Sequence, residues 1–186
     1  EGGRDGHQGY GKYAVFPNGN FELHTLPFTE GAFKLEGKTK VSAALMPDYS
    51  ACVGFEPDGV GSGFSRKFIQ DMLREQQNYD GVICSDWGIT HDEVGVYACK
   101  GKPWGMETKS VAERHYKVLM AGVDQFGGNN DRGPVLDAYH IGVEKQGEEW
   151  MQQRMRTSAR RLLTNIFRTG LFENPYLDPA HTSEVV

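Results

Sequence analysis

The chain has 186 residues, of which 38% are hydrophobic and 24% charged, and its formal net charge is −5. This composition is typical of an ordinary globular protein; the negative charge without a basic block argues against nucleic-acid binding, and no run of about 18 apolar residues predicts a membrane span. Three cysteines without a CxxC spacing argue against a disulfide framework and against a zinc site.

The first half of the chain predicts a loop followed by a helix, a strand and a second helix. Pro27 favours the first turn of a short helix. Pro47 ends a strand because proline lacks the backbone donor, and Ser65 is a helix N-cap that precedes apolar residues at helical spacing. The expected elements are a glycine- and aromatic-rich loop over 1–22, a short helix over 26–35, a strand over 40–50 and a helix over 65–77.

The second half predicts two further strands, each followed by helices. Ser110 and Glu113 form a capping box, Gly122 ends the helix that they open, and Pro134 begins the next one. The expected elements are a strand over 79–87, a loop from about 88 to 107, a helix over 110–121, a short strand over 122–127, a helix from 134, a long helix over 147–169 and an extended, proline-broken tail over 171–186.

Strands that alternate with helices predict βαβ units and a parallel sheet, so the expected fold class is α/β. Three strands are few for a parallel sheet that helices cover on both faces. We therefore expect the chain to be the later part of a larger α/β domain. Alone, such a part would expose strand edges and apolar surface and would have limited stability.

The three predicted strands end on side chains that suit carbohydrate chemistry. The first end carries Met46 and Tyr49, the second Asp86 and Trp87, and the third Asp124. In parallel α/β folds, functional residues gather at the carboxyl ends of strands. An aspartate beside aromatic rings can attack an anomeric carbon or stabilise an oxocarbenium-like transition state. A strand-end aspartate can instead cap the following loop, and we interpret Asp124 as structural.

The segment that ends in Asp86 and Trp87 resembles the nucleophile segment of glycoside hydrolase family 3. In that family a helix ending in LLR leads through GFDG to a strand ending in SDW, and here the sequence reads MLREQQNYDGVICSDWG. Other stretches stand in the family's order: GGRDGHQGYGKY resembles the loop after its Lys-His-Phe-Pro-Gly signature, ALMPDYS resembles vMpsYs, LMAGVDQF resembles AGxDm, and RRLLTNIFRTGLFENPY resembles RiLrxKfxxGLFxxPy. The resemblance covers nearly the whole chain.

This resemblance implies a fold and an activity. Residues 1–170 would be the C-terminal portion of a (β/α)8 TIM-like barrel domain, its last three or so β/α units, with an active-site loop region over 1–22. The implied activity is that of a retaining, exo-acting β-glucosidase-like hydrolase with Asp86 as catalytic nucleophile. The resemblance also implies that Tyr49 supports this carboxylate, and it assigns the first sugar subsite to two further side chains, Met46 and Trp87.

The resemblance also bears on partners and location. The expected ligand is an oligosaccharide or β-glucoside, no cofactor or metal is implied, and a periplasmic or secreted location is suggested. The family's Lys-His pair and earlier strands would precede Glu1, and glucosidase-like members take their acid/base from a second α/β domain. Residues 171–186 are expected to form an extended linker toward that absent domain. The expected partners are thus the N-terminal barrel strands and a C-terminal α/β domain of the same enzyme, without which the chain is not expected to be active.

Two alternatives remain open. Asp5 and His7 have the Asp-x-His spacing of the hexosaminidase branch of the same family, in which the histidine is the acid/base, so the enzyme would be a β-N-acetylhexosaminidase. Against this, that branch usually lacks the tryptophan after the nucleophile and the aromatic insert GYGKYAVFPNGNFELHTLPF. The other alternative is a non-catalytic carbohydrate-binding or assembly fragment, in which part of the pocket is present and the chemistry is disabled.

Overall fold

Short parallel strands and longer helices make up the computed structural model, which describes residues 3–92 and 101–185. The strands form two separate parallel pairs. This parallel pairing confirms the predicted α/β class. The pairs are β1 (Tyr13–Ala14) with β3 (Ala51–Cys52), and β2 (Ala44–Leu45) with β4 (Val82–Ile83).

The third predicted strand, over 122–127, is reduced to one parallel bridge between Cys84 and Gln125. The Ile83 carbonyl oxygen accepts a hydrogen bond from the Asp124 backbone N–H at 2.8 Å, but the Ile83 N–H donates to the Asp124 carboxylate at 3.0 Å. A side chain thus occupies the position of a ladder carbonyl, which interrupts regular pairing. The order β2, β4, Gln125 is still that of consecutive parallel segments.

Helix starts and stops follow the capping residues. Ser110 and Glu113 form the predicted capping box, and Gly122 ends the helix with φ 110°. The Ser65 hydroxyl accepts a hydrogen bond from the Phe68 N–H at 3.1 Å, as expected of a cap. The α-helices of the described residues are α1 (Phe21–Leu26), α2 (Val111–Ala121), α3 (Gly133–Gln146), α4 (Glu148–Arg168) and α5 (Pro179–Val185), and π-helices span Pro27–Ala32 and Lys67–Gln76. None of these helices is both long and apolar enough to cross a membrane.

The N-terminal region departs from its prediction. Helix α1 begins at Phe21, inside the region predicted as loop, and the predicted helix over 26–35 is instead its π-helical continuation. The Phe21 ring stacks on Phe55 at a centroid distance of 4.4 Å. This contact joins residues far apart in the chain, so local patterns do not reveal it.

The C-terminal tail, predicted to be extended over 171–186, contains helix α5. The Asp178 carboxylate accepts hydrogen bonds from the Ala180 and His181 N–H groups at 3.0 and 3.4 Å, as an N-cap does. Pro179 occupies the first helical position, which proline favours. The expectation of an extended tail was therefore wrong for this part, because the Asp-Pro start signal outweighs the earlier prolines.

The hydrophobic core lies between β4, the Lys67–Gln76 helix and α2. Ile69 and Leu73, from the predicted apolar face, are buried together with Ile83 and Val118. Burying each such side chain stabilises the fold by about 1.5–3 kcal/mol. This packing fixes β4 and therefore the loop that follows it.

A buried ionic cluster around Asp124 links the third strand segment to two helices. The carboxylate is 0% exposed and accepts hydrogen bonds from Arg74 at 2.7 Å, from Ser158 at 2.6 Å and from Arg161 at 3.1 Å. A third guanidinium, that of Arg154, lies 3.8 Å away. These contacts agree with the structural interpretation of Asp124.

An apolar cavity of about 410 Å³ opens beside β2. Several aromatic side chains line it, and one of them, Phe28, is 48% exposed. Exposed apolar surface of this kind usually marks a place where other polypeptide packs. The aromatic lining residues are Phe16, Phe21, Phe28, Phe33 and Phe68.

Candidate active site

The loop after β4 holds Asp86, the predicted nucleophile, in a fixed position. The preceding residue, Ser85, is buried; its N–H donates to the Gln125 carbonyl oxygen at 2.8 Å and its hydroxyl accepts from the Gly127 N–H at 2.9 Å. Asp86 itself is half-buried, and its Oδ1 accepts a hydrogen bond from the Trp87 N–H at 2.6 Å. The backbone thus carries the carboxylate to the strand end, as predicted.

Tyr49, from the loop after β2, lies against the same segment. Its hydroxyl donates to the Trp87 carbonyl oxygen at 2.8 Å and lies beside the Asp86 carboxylate. Burial of the phenol, and then the hydrogen bond and negative charge of Asp86, raise the pKa of Tyr49 far above its usual range. The phenol therefore stays neutral and keeps a proton to donate.

The Trp87 indole rests on two consecutive glycines. A Cβ at Gly128 would lie 2.2 Å from the Trp87 Cδ1 atom, and one at Gly127 would lie 2.7 Å from its Cε3 atom. No side chain other than hydrogen fits under the ring at either position. The indole is nevertheless 57% exposed, so its other face is open to a ligand.

A cleft of about 330 Å³ lies next to these residues. Its volume is at the lower end of the range for small-molecule sites. Asp86 does not line the cleft itself, but its carboxylate contacts two residues that do, Trp87 and Tyr49. The lining residues are His7, Tyr49, Trp87, Gly88, His91, Lys102 and Gly128.

The Asp5–His7 pair is formed and reaches this cleft. The His7 Nδ1 atom and the Asp5 Oδ1 atom are 2.7 Å apart, and the His7 backbone N–H donates to the same oxygen at 2.9 Å. The backbone and side-chain hydrogen bonds from His7 lower the pKa of Asp5, so its carboxylate stays charged and orients the ring. The imidazole also packs edge-to-face on Tyr49, with centroids 4.9 Å apart.

Met46 lies elsewhere. It is 51% exposed and lines the apolar cavity beside β2, not the cleft that Tyr49 and Trp87 share. The structure thus brings five of the six predicted site residues to one region and leaves Met46 apart.

Comparison with known proteins shows that the chain is similar to β-glucosidases. No protein-family model matches the chain. It is 39% identical over 199 residues to the periplasmic β-glucosidase/β-xylosidase of Dickeya chrysanthemi, covering 99% of this chain and 29% of that protein. It is 33% identical over 187 residues to the probable β-glucosidase C of Aspergillus flavus, covering 100% of this chain and 28% of that protein.

Solved structures agree in fold. The glycoside hydrolase family 3 β-N-acetylglucosaminidase of Paenibacillus sp. str. FPU-7 superposes with a TM-score of 0.63 at 22% identity, covering 91% of this chain and 29% of that one. The chain is thus similar over its whole length to β-glucosidases, and its fold is that of a glycoside hydrolase family 3 enzyme. It spans less than a third of the length of these relatives.

Four residues of this cleft were not predicted from the sequence as site residues: Gly88, His91, Lys102 and Gly128. All four lie outside the helices and strands, so periodicity does not single them out. Their local signals are only that Gly88 follows Trp87 and that Lys102 is close to Trp104 in the stretch GKPWG. Tertiary contacts bring them to the cleft.

The loop that carries three of these residues is anchored by Arg114 of α2. This buried guanidinium donates to the Thr90 carbonyl oxygen at 3.2 Å and to the Met106 carbonyl oxygen at 3.0 Å. The predicted loop from 88 to 107 includes residues 93–100, which lie outside the described residues. Both described ends of the loop are therefore fixed to the same helix.

Proposed function

We propose that this chain carries the nucleophile of a retaining, exo-acting β-glucosidase-like hydrolase that acts on terminal β-linked sugars. The observation that carries the proposal is the contact of the Asp86 carboxylate with Tyr49 and Trp87, the two aromatic residues that line one cleft. Asp86 attacks the anomeric carbon while an acid protonates the departing oxygen, and a covalent glycosyl-enzyme forms. Water, deprotonated by the same acid/base group, then releases the sugar with retained configuration.

The neighbours of Asp86 suit this role. The Trp87 N–H donates to one carboxylate oxygen, and the neutral Tyr49 hydroxyl lies beside the carboxylate. Fixed donors hold a nucleophile in attack geometry and add no reorganisation during the reaction. The exposed face of the Trp87 indole is available to stack on sugar C–H groups.

We propose that residues 1–170 are the last three or so β/α units of a (β/α)8 barrel and that residues 171–186 lead to a second domain. The order β2, β4, Gln125 supports this, because successive barrel strands are parallel neighbours. The apolar cavity beside β2 supports it as well, because earlier strands of the same enzyme would cover its aromatic lining. The greater length of the relatives leaves room for those strands and for a C-terminal α/β domain.

A second candidate function is that of a β-N-acetylhexosaminidase with His7 as acid/base. The observation that favours it is the formed dyad: Asp5 orients the His7 ring through a 2.7 Å contact at Nδ1, and the ring lines the cleft. An imidazole held by a carboxylate can carry a proton on its other nitrogen. In the leading proposal, the acid/base instead comes from the second domain, and the dyad contributes only to the cleft wall.

The nucleophile assignment is tested by Asp86→Asn in the longest natural chain that contains this sequence. We expect kcat to fall by at least about 10³-fold while sugar binding persists, because only the covalent step is lost. Incubation with a 2-deoxy-2-fluoro-β-glucoside should attach one sugar to Asp86, detected by intact mass and peptide mapping. Asp137→Asn, at an exposed position of α3, is the matched control. Unchanged turnover in Asp86→Asn would refute the assignment and favour the non-catalytic binding fragment.

The two enzyme candidates are separated by His7→Ala. If a second domain supplies the acid, the loss in kcat/KM should stay below about tenfold; if His7 is the acid/base, it should reach about 10²–10⁴-fold. A glycoside with a good leaving group should recover much of the loss in the second case, since it needs less protonation. His181→Ala, at an exposed position of α5, controls for removal of one histidine.

A further inference from the structure

Lys102 is a buried lysine on the wall of the cleft. The residue is 3% exposed, and its Nζ atom lies 4.8 Å from the centroid of the Tyr49 ring. Lysine is almost never fully buried without compensation, because removing an ammonium from water costs several kcal/mol. Its position therefore calls for an explanation beyond the packing of its aliphatic stem.

Two groups from the candidate site compensate this charge. The Tyr49 ring offers its negative face to the ammonium. The Lys102 charge also helps to lower the pKa of Asp5, after the larger effect of the His7 hydrogen bonds. Lys102 thus interacts with the tyrosine that contacts the nucleophile and with the Asp5–His7 dyad.

The backbone around Lys102 is held from several directions. Its N–H donates to the Gly88 carbonyl oxygen at 3.4 Å, directly after the Asp86–Trp87 pair. Two residues later, the buried Trp104 indole donates to the Gly6 carbonyl oxygen at 3.2 Å, inside the loop that carries the dyad. The ammonium is thus preorganised relative to both loops.

We propose that Lys102 is a sugar-binding residue that donates a hydrogen bond to one hydroxyl of the sugar held beside Asp86 and Trp87. An ammonium has three N–H donors and no acceptor, so it complements the lone pairs of a hydroxyl oxygen. With Trp87 on an apolar face of the ring and Asp86 at the anomeric carbon, a fixed donor on the cleft wall selects one orientation of the sugar. This inference rests on the proposed glycosidase function.

The competing explanation is that Lys102 only supports the Tyr49 ring by packing. The two explanations differ in what the loss of the ammonium does to substrate recognition. A packing role would lower activity equally for all substrates, whereas a donor acts on one hydroxyl. A series of substrates that lack single hydroxyls therefore distinguishes them.

The test uses Lys102→Met, which keeps a long flexible stem and removes the donor, in the longest natural chain that contains this sequence. We expect kcat/KM for a β-glucoside to fall by about 10- to 100-fold, as for loss of a charged hydrogen bond. Lys109→Met, at a half-exposed surface lysine, is the matched control and should change kcat/KM by less than about twofold. Lys102→Gln, which keeps an N–H donor, provides a second variant if the methionine destabilises the fold.

The decisive measurement is kcat/KM for the 2-, 3-, 4- and 6-deoxy-β-glucosides with the wild type and both Lys102 variants. For one of the four hydroxyls, its removal from the substrate should lower kcat/KM of the wild type by about the same factor as Lys102→Met does. The same deoxy substrate should lower kcat/KM of the methionine variant almost no further. Equal costs in wild type and variant at all four positions, or an unchanged kcat/KM in Lys102→Met, would overturn the inference. The proposed function itself fails only if Asp86→Asn keeps its turnover, so the two failures are distinguishable.

Discussion

Asp86 and Asp124 stand at the ends of adjacent parallel segments, yet their surroundings are opposite. The Asp124 side chain is completely buried, and guanidinium groups and a hydroxyl bind its oxygens. Asp86 is half-buried next to two residues that line a cleft, and its carboxylate faces a backbone N–H and a neutral phenol. A carboxylate held by arginines cannot approach a ligand, whereas one with an open side can. The role of a strand-end aspartate is therefore decided by the groups that contact its carboxylate and not by its position in the βα unit.

The largest expected effect of this difference is on stability: we compare how much the free energy of unfolding falls when each carboxylate is removed. Asp124→Ala would leave Arg74 and Arg154 buried without their ion-pair partner, and we expect the free energy of unfolding to fall by about 3–5 kcal/mol. Asp86→Ala should change it by less than about 1 kcal/mol, because that side chain anchors no buried charge. Urea unfolding followed by circular dichroism measures both values. Equal losses for the two variants would contradict the comparison.

The loop after Asp124 carries Gly127 and Gly128, which pack against the Trp87 indole and so position the residue next to Asp86. Gly128→Ala should lower kcat/KM by about 10- to 100-fold, because the new Cβ would collide with the indole and tilt it out of the cleft. Gly19→Ala is the matched control: both glycines have φ +64°, but a Cβ at Gly19 meets nothing within 4 Å. Both variants should lose about 1–2 kcal/mol of stability from the left-handed backbone. An equal loss of activity in the two variants would exclude a role for the glycine pair in positioning Trp87.

Two histidines differ in the same way as the two aspartates: His115 is buried, whereas His7 is exposed. His115 is buried between the Val111 carbonyl oxygen at 2.8 Å and the Asn129 side-chain nitrogen at 2.7 Å, and burial lowers its pKa. The unfolded chain therefore binds a proton near pH 6.5 before the folded chain does. Stability should be fully present above that pH and should fall on acidification toward the lowered folded pKa, by at most about 1.4 kcal/mol per pH unit.

Urea unfolding between about pH 7.5 and 5.5 measures this slope. His115→Gln should flatten it, since the variant has no imidazole to protonate. His7→Gln, in the exposed Asp5–His7 pair, controls for the loss of one histidine. An unchanged slope in His115→Gln would assign the acid sensitivity to other groups.

The helices between Ser65 and Thr169 were predicted well because their signals are local. The capping box of Ser110 and Glu113, the Gly122 stop and the Ser65 cap each join residues within a few positions of one another. Strands were predicted less well, because their length depends on partners elsewhere in the chain. The third strand shrank to one bridge when the Asp124 side chain took the Ile83 N–H. No pattern within 122–127 indicates that exchange.

The residues of the candidate site likewise fall into those that local sequence indicates and those that it does not. Asp86 and Trp87 could be placed from the sequence because a β-rich run ends on them, and Tyr49 because it follows the preceding strand. Lys102 could not, because its burial results from contacts with Tyr49 and with the loop around Gly6. The pair of glycines beneath Trp87 was missed for the same reason.

By itself, the sequence determined the boundaries of the helices between Ser65 and Thr169, the α/β alternation and the carboxylate at the end of β4, since each depends on residue types close together in the chain. Only the tertiary structure decided that the Asp5–His7 pair reaches the cleft, that Met46 faces a different cavity and that Asp124 is held by arginines. These outcomes depend on side chains that are far apart in sequence and meet only when the core is packed.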